Sequence, residues 1–546
     1  MKTALAQINY HIGNFEENIS KIKQQIQKAK QEQAELIVFA ELAISGYPPR
    51  DFLEFDDFIH RCTLGIEDIA KECHGIAAII GAPSVNTEKK GKPLYNSAYF
   101  LAEGKIMAVR HKTLLPTYDI FDEYRYFEPN RNFELIEYKG KKIALTICED
   151  LWNLDEDPLY IINPMDELMK LHPDMIVNIA ASPFNYNQKE IRKNILIRNA
   201  KKYHLPVYYV NHVGAQTELL FDGSSMVIDS QGNIVDELNS FEEDFRVYPS
   251  LKKSETNSSN TKNQTTSSIA LIHDALIMGI KNYFEKQNFK KAILGLSGGI
   301  DSAVTLVLAA KALGKENVRA ILMPSEFSSD HSVKDAKDLA ENLDVKHDII
   351  GIHEVFDVID KNLKPYFEER PFNITEENIQ SRIRGILLMA LSNKFGYILL
   401  NTSNKSEIAV GYGTLYGDMC GGLSVLGDIY KTQVYELAQF INKEKEIIPV
   451  NTILKPPSAE LRPDQKDSDS LPDYDILDKI LYQYIELRKG PNKIIAMGFD
   501  EKIVSKTLKL VNTSEFKRHQ TPPILRVSPK AFGMGRRMPI VAKYLS

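Results

Sequence analysis

Three residues of unlike chemistry each stand at the end of an apolar run in the first half of the chain. Glu41 follows Leu36-Ile-Val-Phe-Ala, Lys112 follows Ile106-Met-Ala-Val-Arg-His, and Cys148 follows Ile143-Ala-Leu-Thr-Ile. Such runs read as buried strands, and the carboxyl ends of strands are where α/β sites assemble. Together the three supply what amide hydrolysis needs: a thiolate to attack the carbonyl, a carboxylate to shuttle its proton, and an ammonium to steady the oxyanion. A neighbouring ammonium is also expected to lower the thiol pKa. Taken singly, each has a plainer reading, as a small buried hydrophobe, a helix cap and a surface charge. Spacing alone does not decide between the two.

A second signature lies at 295–302, Gly-Leu-Ser-Gly-Gly-Ile-Asp-Ser, between the apolar run 292–296 and the helix-like stretch 303–313. A strand, two glycines and a helix start make a phosphate site. The glycines let backbone N–H groups close on the oxygens, and the helix N-terminus adds unpaired donors. No lysine follows the glycines, so this is not the Gly-x-x-x-x-Gly-Lys-Ser/Thr loop. Instead Asp301 stands in the anion cradle, a conflict that a bridging Mg²⁺ would resolve.

The sequences around these residues carry resemblances. Phe39-Ala-Glu-Leu with Gly46-Tyr-Pro-Pro, His111-Lys-Thr-Leu-Leu-Pro and Ile147-Cys-Glu-Asp resemble the three signatures of the nitrilase/amidase superfamily over about 1–245. That likeness implies Glu41 as general base, Lys112 as oxyanion-stabilising cation and Cys148 as nucleophile, with Glu123 as a further active-site carboxylate. In its glutaminase branch, Tyr118, Ser182 and Gln188 correspond to contacts of L-glutamine. A basic residue is common at the last place, and here Lys189 follows it. Ser297-Gly-Gly-Ile-Asp-Ser resembles the pyrophosphate loop of the ATP pyrophosphatases, which adenylylate a substrate oxygen. The stretches 377–385 and 402–418, with the tail 517–523, resemble the NAD synthetase family.

From that family, Gly295, Leu296, Ser297, Gly298, Gly299, Ile300, Asp301, Ser302 and Thr402 are expected to hold ATP, with Lys431 on its phosphates. Asp301 and Glu407 are expected to hold Mg²⁺. Asn378, Arg382, Glu407 and Lys517 are expected at the deamido-NAD site. Leu415 stands where ammonia-only bacterial members carry a lysine. The implied reaction releases ammonia from glutamine and uses it to amidate adenylylated deamido-NAD, giving NAD(+), AMP, diphosphate and glutamate. The alternatives are a related amidotransferase with another acceptor, or a nucleotide-sensing protein without the chemistry. All the expected reactive side chains are present, which argues against the second.

These residues need a frame to hold them. At 546 residues the chain is too long for one ordinary core. Hydrophobic content of 43% and charged content of 26% fit a soluble globular class. A net charge of −6 leaves no basic footprint for nucleic acid, and no apolar run approaches a membrane span. Four cysteines without metal-ligand spacing suit a reducing cytoplasm. Strands are expected at 3–8, 36–40, 77–80, 97–101, 106–109, 143–147, 175–179, 207–210 and 225–228, with an amphipathic helix over 16–33. So many strands with few long helices predict an N-terminal nitrilase-like αββα sandwich over 1–245. The polar segment at 254–268 marks a linker, taken as 246–268. From 269 to 546, strands at 292–296, 318–323, 345–350 and 397–400 alternate with helices. They predict a doubly wound parallel α/β domain like the adenine nucleotide alpha hydrolases. The polar, Pro-bounded stretch 457–473 is a candidate lid. Synthetase domains of this kind pair, so a homo-oligomer is expected, with small-molecule substrates as its other partners.

Overall fold

Short runs of Val, Ile, Leu and Ala with almost no polar interruption form the central strands, and such strands pack in sheets covered on both faces. The computed structural model describes residues 1–88, 90–155, 157–251, 267–463 and 465–545. The chain divides into two units, Met1–Thr265 and Thr266–Ser546.

In the first unit the strands are β1 (Thr3–Gln7), β2 (Leu36–Val38), β3 (Ala77–Val85), β4 (Leu94–Ala102), β5 (Lys105–His111), β6 (Ile136–Tyr138) and β7 (Lys141–Ile147). They continue as β8 (Met175–Ile179), β9 (Val207–Val210), β10 (Val213–Gln216), β11 (Leu219–Asp222), β12 (Met226–Ile228), β13 (Ile234–Glu237) and β14 (Asp244–Tyr248). One sheet has the order β14-β1-β2-β3-β4-β5 and the other β13-β12-β9-β8-β7-β6, with β10 and β11 as a separate hairpin. The sheets face each other through β1, β4, β5, β7 and β9. Helix α1 (Phe15–Gln31) and helix α2 (Asp56–Ala70) cover the first sheet, and helix α3 (Gln188–Tyr203) packs on β9 and β12 of the second. This is the expected αββα sandwich. The expected linker falls mostly on 252–266, outside the described residues, while its first residues, 246–248, complete β14 against β1. Arg246 there is paired with Asp236 of β13, in the other sheet, and with Asp244 of β14 itself, contacts that local composition does not reveal.

The second unit carries β15 (Lys291–Gly295), β16 (Val318–Leu322), β17 (Lys346–Ile349), β18 (Tyr397–Asn401) and β19 (Leu423–Ser424). They form one sheet of order β17-β16-β15-β18-β19, with every pairing parallel. Around it lie α4 (Ser268–Lys286), α5 (Ile300–Leu313), α6 (Asp330–Asn342), α7 (Ile374–Phe395), the short α8 (Lys405–Val410) and α9 (Lys431–Ile441). Strand order reverses between β15 and β18. The loops leaving those two strands, 296–299 and 402–404, open a crevice at that switch point, where α/β folds bind ligands.

One glycine in the first unit decides where Glu41 can lie. The segment after β2 runs directly over Gly81 of β3, whose N–H donates to the Ala40 carbonyl at 3.2 Å and whose carbonyl accepts from the Ile44 N–H at 3.3 Å. A Cβ on Gly81 would sit 2.3 Å from the Leu42 nitrogen and 2.6 Å from the Ala40 oxygen, both backbone atoms that cannot swing away. Gly81→Ala should therefore destabilise the protein by about 1–3 kcal/mol through overpacking, measured as a fall in the urea midpoint. An unchanged midpoint would show that the 40–42 backbone yields freely.

Candidate functional site

Cys148 leaves β7 with φ at +42°, a left-handed conformation that is costly for a residue with a side chain. The sharp turn continues as a single 3₁₀ turn, Cys148–Leu151, so the sulfur stands at the strand's carboxyl end rather than in the sheet. Asp150 holds the turn in place. Its Oδ2 accepts from the Ile147 N–H at 3.0 Å, and its Oδ1 accepts from Thr113 and Leu114 at 3.0 and 2.9 Å. One carboxylate thus ties the nucleophile's turn to the chain just beyond Lys112.

Lys112 follows β5 and is buried between two carboxylates. Its Nζ lies 2.7 Å from Glu41 Oε1 and 2.7 Å from Glu123 Oε2, with only 1% of its side chain exposed. Asn96 on β4 donates to Glu41 Oε1 at 2.7 Å, the Ala181 N–H donates to Glu41 Oε2 at 2.9 Å, and the Tyr47 hydroxyl donates to Glu123 Oε1 at 2.9 Å. Burial works against the Lys112 charge, but Glu123 and Glu41 outweigh it and hold its pKa well above the usual value. Burial pushes the Glu123 carboxyl up, opposed by Lys112. The thiol departs from expectation. Burial, and then the Glu41 carboxylate, push Cys148 well above an ordinary thiol, and Lys112 only partly offsets them. The lysine's charge is already spent on two carboxylates, so the resting sulfur is a thiol that needs a base.

Of the expected glutamine contacts, Tyr118 donates to both oxygens of Glu149, the residue after the nucleophile, at 2.9 and 3.1 Å. Tyr160 donates to the same carboxylate at 3.1 Å. Ser182 is pinned through its N–H to Asn211 Oδ1 at 2.8 Å. Gln188 begins α3, and its side-chain oxygen accepts from Asn185 at 3.1 Å. Lys189 points elsewhere and pairs with Glu237 at 2.5 Å. The basic group that reaches Ser182 is instead Arg192, one turn further on. Arg192 is buried against Asp222 at 2.6 Å, with its Nη1 3.5 Å from Ser182 Oγ.

In the second unit a cleft of about 300 Å³ is lined by Gly295, Leu296, Ser297, Gly299, Ile300, Asp301, Ser302, Thr402, Glu407 and Lys431. Gly298 underlies the loop with φ at +81°, and a Cβ there would meet the Ser332 carbonyl at 2.2 Å. Lys431 Nζ lies 2.5 Å from Asp301 Oδ2 and 3.4 Å from Glu407 Oε1. Asn404 donates to Asp301 Oδ1 at 2.9 Å and caps α8, accepting from the Glu407 N–H at 3.0 Å. Burial, and then Asp301, push the Glu407 carboxyl up. Arg384, which reads as a solvated charge on α7, lies half-buried in the cleft wall. It donates to the Met323 carbonyl at 3.1 Å, and burial pulls its guanidinium down to about 10. The 457–473 stretch supplies part of the wall, including Ser458, Glu460, Leu461 and Asp467, with Asp464 outside the described residues. Glu460 accepts from Ser329 Oγ at 3.0 Å and Ser332 Oγ at 2.7 Å.

Asn378, Arg382 and Lys517 gather on one neighbouring loop, 411–415. Thr414 Oγ1 donates to Asn378 at 2.7 Å, Arg382 Nε donates to the Leu415 carbonyl at 3.2 Å, and Lys517 Nζ donates to the Gly411 and Gly413 carbonyls at 2.8 Å each. Sequence reasoning passed over Asn96, Arg192 and Asn404, and saw Asp150 only as an acidic neighbour of Cys148. No local pattern marks Asn96 or Arg192, while Asp150 and Asn404 lie inside the matched signature stretches.

A family model described as carbon-nitrogen hydrolase matches residues 2–254, and one described as NAD synthase matches residues 272–521. A glutamine-dependent NAD(+) synthetase of Synechocystis is 45% identical over 554 residues, covering 99% of this chain and 98% of that protein. One from Acinetobacter baylyi is 42% identical, with 99% and 98% covered. Among solved structures, the glutamine-dependent NAD(+) synthetase of Acinetobacter baumannii in complex with ADP superposes with a TM-score of 0.77. Its identity is 39%, and the match covers 99% of this chain and 98% of that one.

The Asp150 carboxyl gives a pH test. Burial pushes it from 3.8 up to about 6, against the pull of its three N–H donors. Between those values the native state holds a proton that the unfolded chain has released. The group's stabilisation is therefore complete below pH 3.8 and lost as the pH rises to about 6. The stability of wild type relative to Asp150→Asn should decline across that window and level off above it, as read from urea midpoints at successive pH values. A difference that grew with pH would mean that the N–H donors dominate.

Proposed function

The chain belongs to the glutamine-dependent NAD(+) synthetase family, and from that premise we propose how its two units divide the reaction. The observation that carries the reading is one chain holding both a buried Cys148 beside the Lys112–Glu41–Glu123 cluster and a phosphate-loop cleft at a sheet switch point.

In the first unit, Cys148 Sγ attacks the side-chain carbonyl carbon of glutamine while Glu41 takes the thiol proton. Glu41 suits this task because Lys112, Asn96 and the Ala181 N–H hold its carboxyl group in place and aim it, whereas burial pushes the thiol beside it up. Lys112 steadies the oxyanion, and Glu41 returns the proton to the departing ammonia. Water, deprotonated by Glu41, then opens the thioester and releases glutamate. Tyr118, Ser182 and Gln188 hold the glutamine, and Arg192 supports Ser182.

In the second unit, residues 295–302, Thr402 and Lys431 bind ATP, and Asn378, Arg382, Glu407 and Lys517 bind deamido-NAD. The deamido-NAD carboxylate attacks the α-phosphorus and diphosphate leaves. Ammonia then attacks the acyl-adenylate carbonyl and AMP leaves, giving NAD(+). Asp301 and Glu407 fit Mg²⁺: both offer hard carboxylate oxygens, and both line the cleft beside the 295–302 loop. When bound there, Mg²⁺ would neutralise the triphosphate. The enzyme is proposed to act in the cytoplasm as a homo-oligomer. No helix among the described residues is long and apolar enough to cross a membrane.

Cys148→Ala should lose glutamine-dependent NAD(+) formation by at least about a thousandfold while ammonium-dependent formation stays within about twofold of wild type. Continued glutamine use would remove the nucleophile assignment, and no NAD(+) from either nitrogen source in wild type would remove the acceptor. Chelating divalent cations should abolish synthesis from ammonium but spare glutamine hydrolysis.

A further inference from the structure

Lys405 is completely buried, and no step above uses it. Its Nζ lies 2.9 Å from Asp428 Oδ1 and 2.8 Å from Glu486 Oε1, and donates to Ser528 Oγ at 2.7 Å and the Lys530 carbonyl at 2.9 Å. Asp428 in turn accepts from the Val527 and Ser528 N–H groups at 2.8 and 2.6 Å and from Ser528 Oγ at 2.7 Å. The segment 524–528 is itself laid along the sheet edge, with Ile524 bridging Ser424 of β19. One ammonium therefore joins the first residue of α8 to a stretch more than a hundred residues away.

The neighbours of Lys405 show what that joint holds. Asn404 reaches Asp301, Ser406 Oγ donates to Asp478 at 2.5 Å and accepts from the Lys431 N–H at 2.9 Å, and Glu407 faces Lys431. Four successive residues thus make four different anchors, three of them into the ATP cleft or the helix that supplies Lys431. Helix α8 has six residues, too few to hold an orientation by its own hydrogen bonds. Its direction must come from outside contacts, and a buried ammonium between two carboxylates is the strongest of them because breaking it strands charge in the interior.

We propose that Lys405 is a positioning residue for the ATP site: through Asp428, Glu486 and the 527–530 segment it fixes the orientation of α8, and with it the Asn404 and Glu407 side chains. The inference rests on the nucleotide reading of the cleft given above.

The test uses full-length enzyme with ammonium as nitrogen donor, which takes the first unit out of the measurement. Two variants are compared with wild type. Lys405→Met combined with Glu486→Gln removes the lysine without leaving Glu486 as an unpaired carboxylate, and Ser528→Ala removes one partner with little change in volume. The KM for MgATP should rise about tenfold in the first and about threefold in the second, with a smaller rise in the KM for deamido-NAD because Glu407 serves both substrates. A merely structural role would lower the amount of active enzyme, and so the apparent kcat, with both KM values unchanged; that result would overturn the proposal. If the double variant does not fold, Ser528→Ala decides by the same criterion. Calorimetry with MgATP separates the two levels of inference. No binding by wild type would overturn the nucleotide reading and this proposal with it, whereas wild-type binding with unchanged KM values in the variants would overturn this proposal alone.

Discussion

An ammonium withdrawn from water between two carboxylates is the constraint from which the first unit is built. Lys112 alone in the interior would cost several kcal/mol, and so would Glu41 or Glu123. Together they are tolerable only if every remaining lone pair finds a donor, which brings in Asn96 from β4, Tyr47 from the loop after β2 and the Ala181 N–H beyond β8. Those donors come from both sheets, so satisfying the cluster also sets how the sandwich closes on it. The same burial acts on the thiol: Cys148 is pushed well up by it and then by Glu41, while Lys112, Asn96 and the Ala181 N–H hold Glu41 in place.

The second unit solves a similar problem with the opposite emphasis. Lys431 answers Asp301 and Glu407, but here the cluster opens on a cleft of about 300 Å³ instead of closing inside a core. Rigidity comes from beneath. Arg518 donates to the Ala409 carbonyl at 2.7 Å and closes the C-terminal end of α8, while Lys405 anchors its start. A six-residue helix is thus held at both ends by buried charge, and the chain's last segments become part of the nucleotide site's foundation.

Strain is placed where chemistry needs exposure. The left-handed Cys148 turns the chain out of β7 abruptly enough to put sulfur at the sheet end, and Asp150, with three backbone donors, stabilises that turn. Gly298 serves the phosphate loop in the same way, since only a residue without Cβ fits against the Ser332 carbonyl.

How much of this was legible depended on whether a feature is local. The strands of both sheets' interiors, the α1 helix and the turn from β15 into α5 follow from hydrophobic period and short motifs, because each is written within a dozen neighbouring residues; Glu41, Lys112 and Cys148 stood out only with the flanking resemblance, and Glu407 through resemblance alone. The half-polar edge strands β13 and β14 escaped, since their residues are only partly buried and carry no clean apolar alternation. So did Asn96, Arg192, Asn404 and Lys405, and the direction of the Cys148 shift came out reversed. These are outcomes of burial and of partners distant in sequence. A side chain's charge state and role are set by which groups share its dry surroundings, so the sequence by itself determined the parts and their chemistry, and only the tertiary structure decided which charges meet and what each is left free to do.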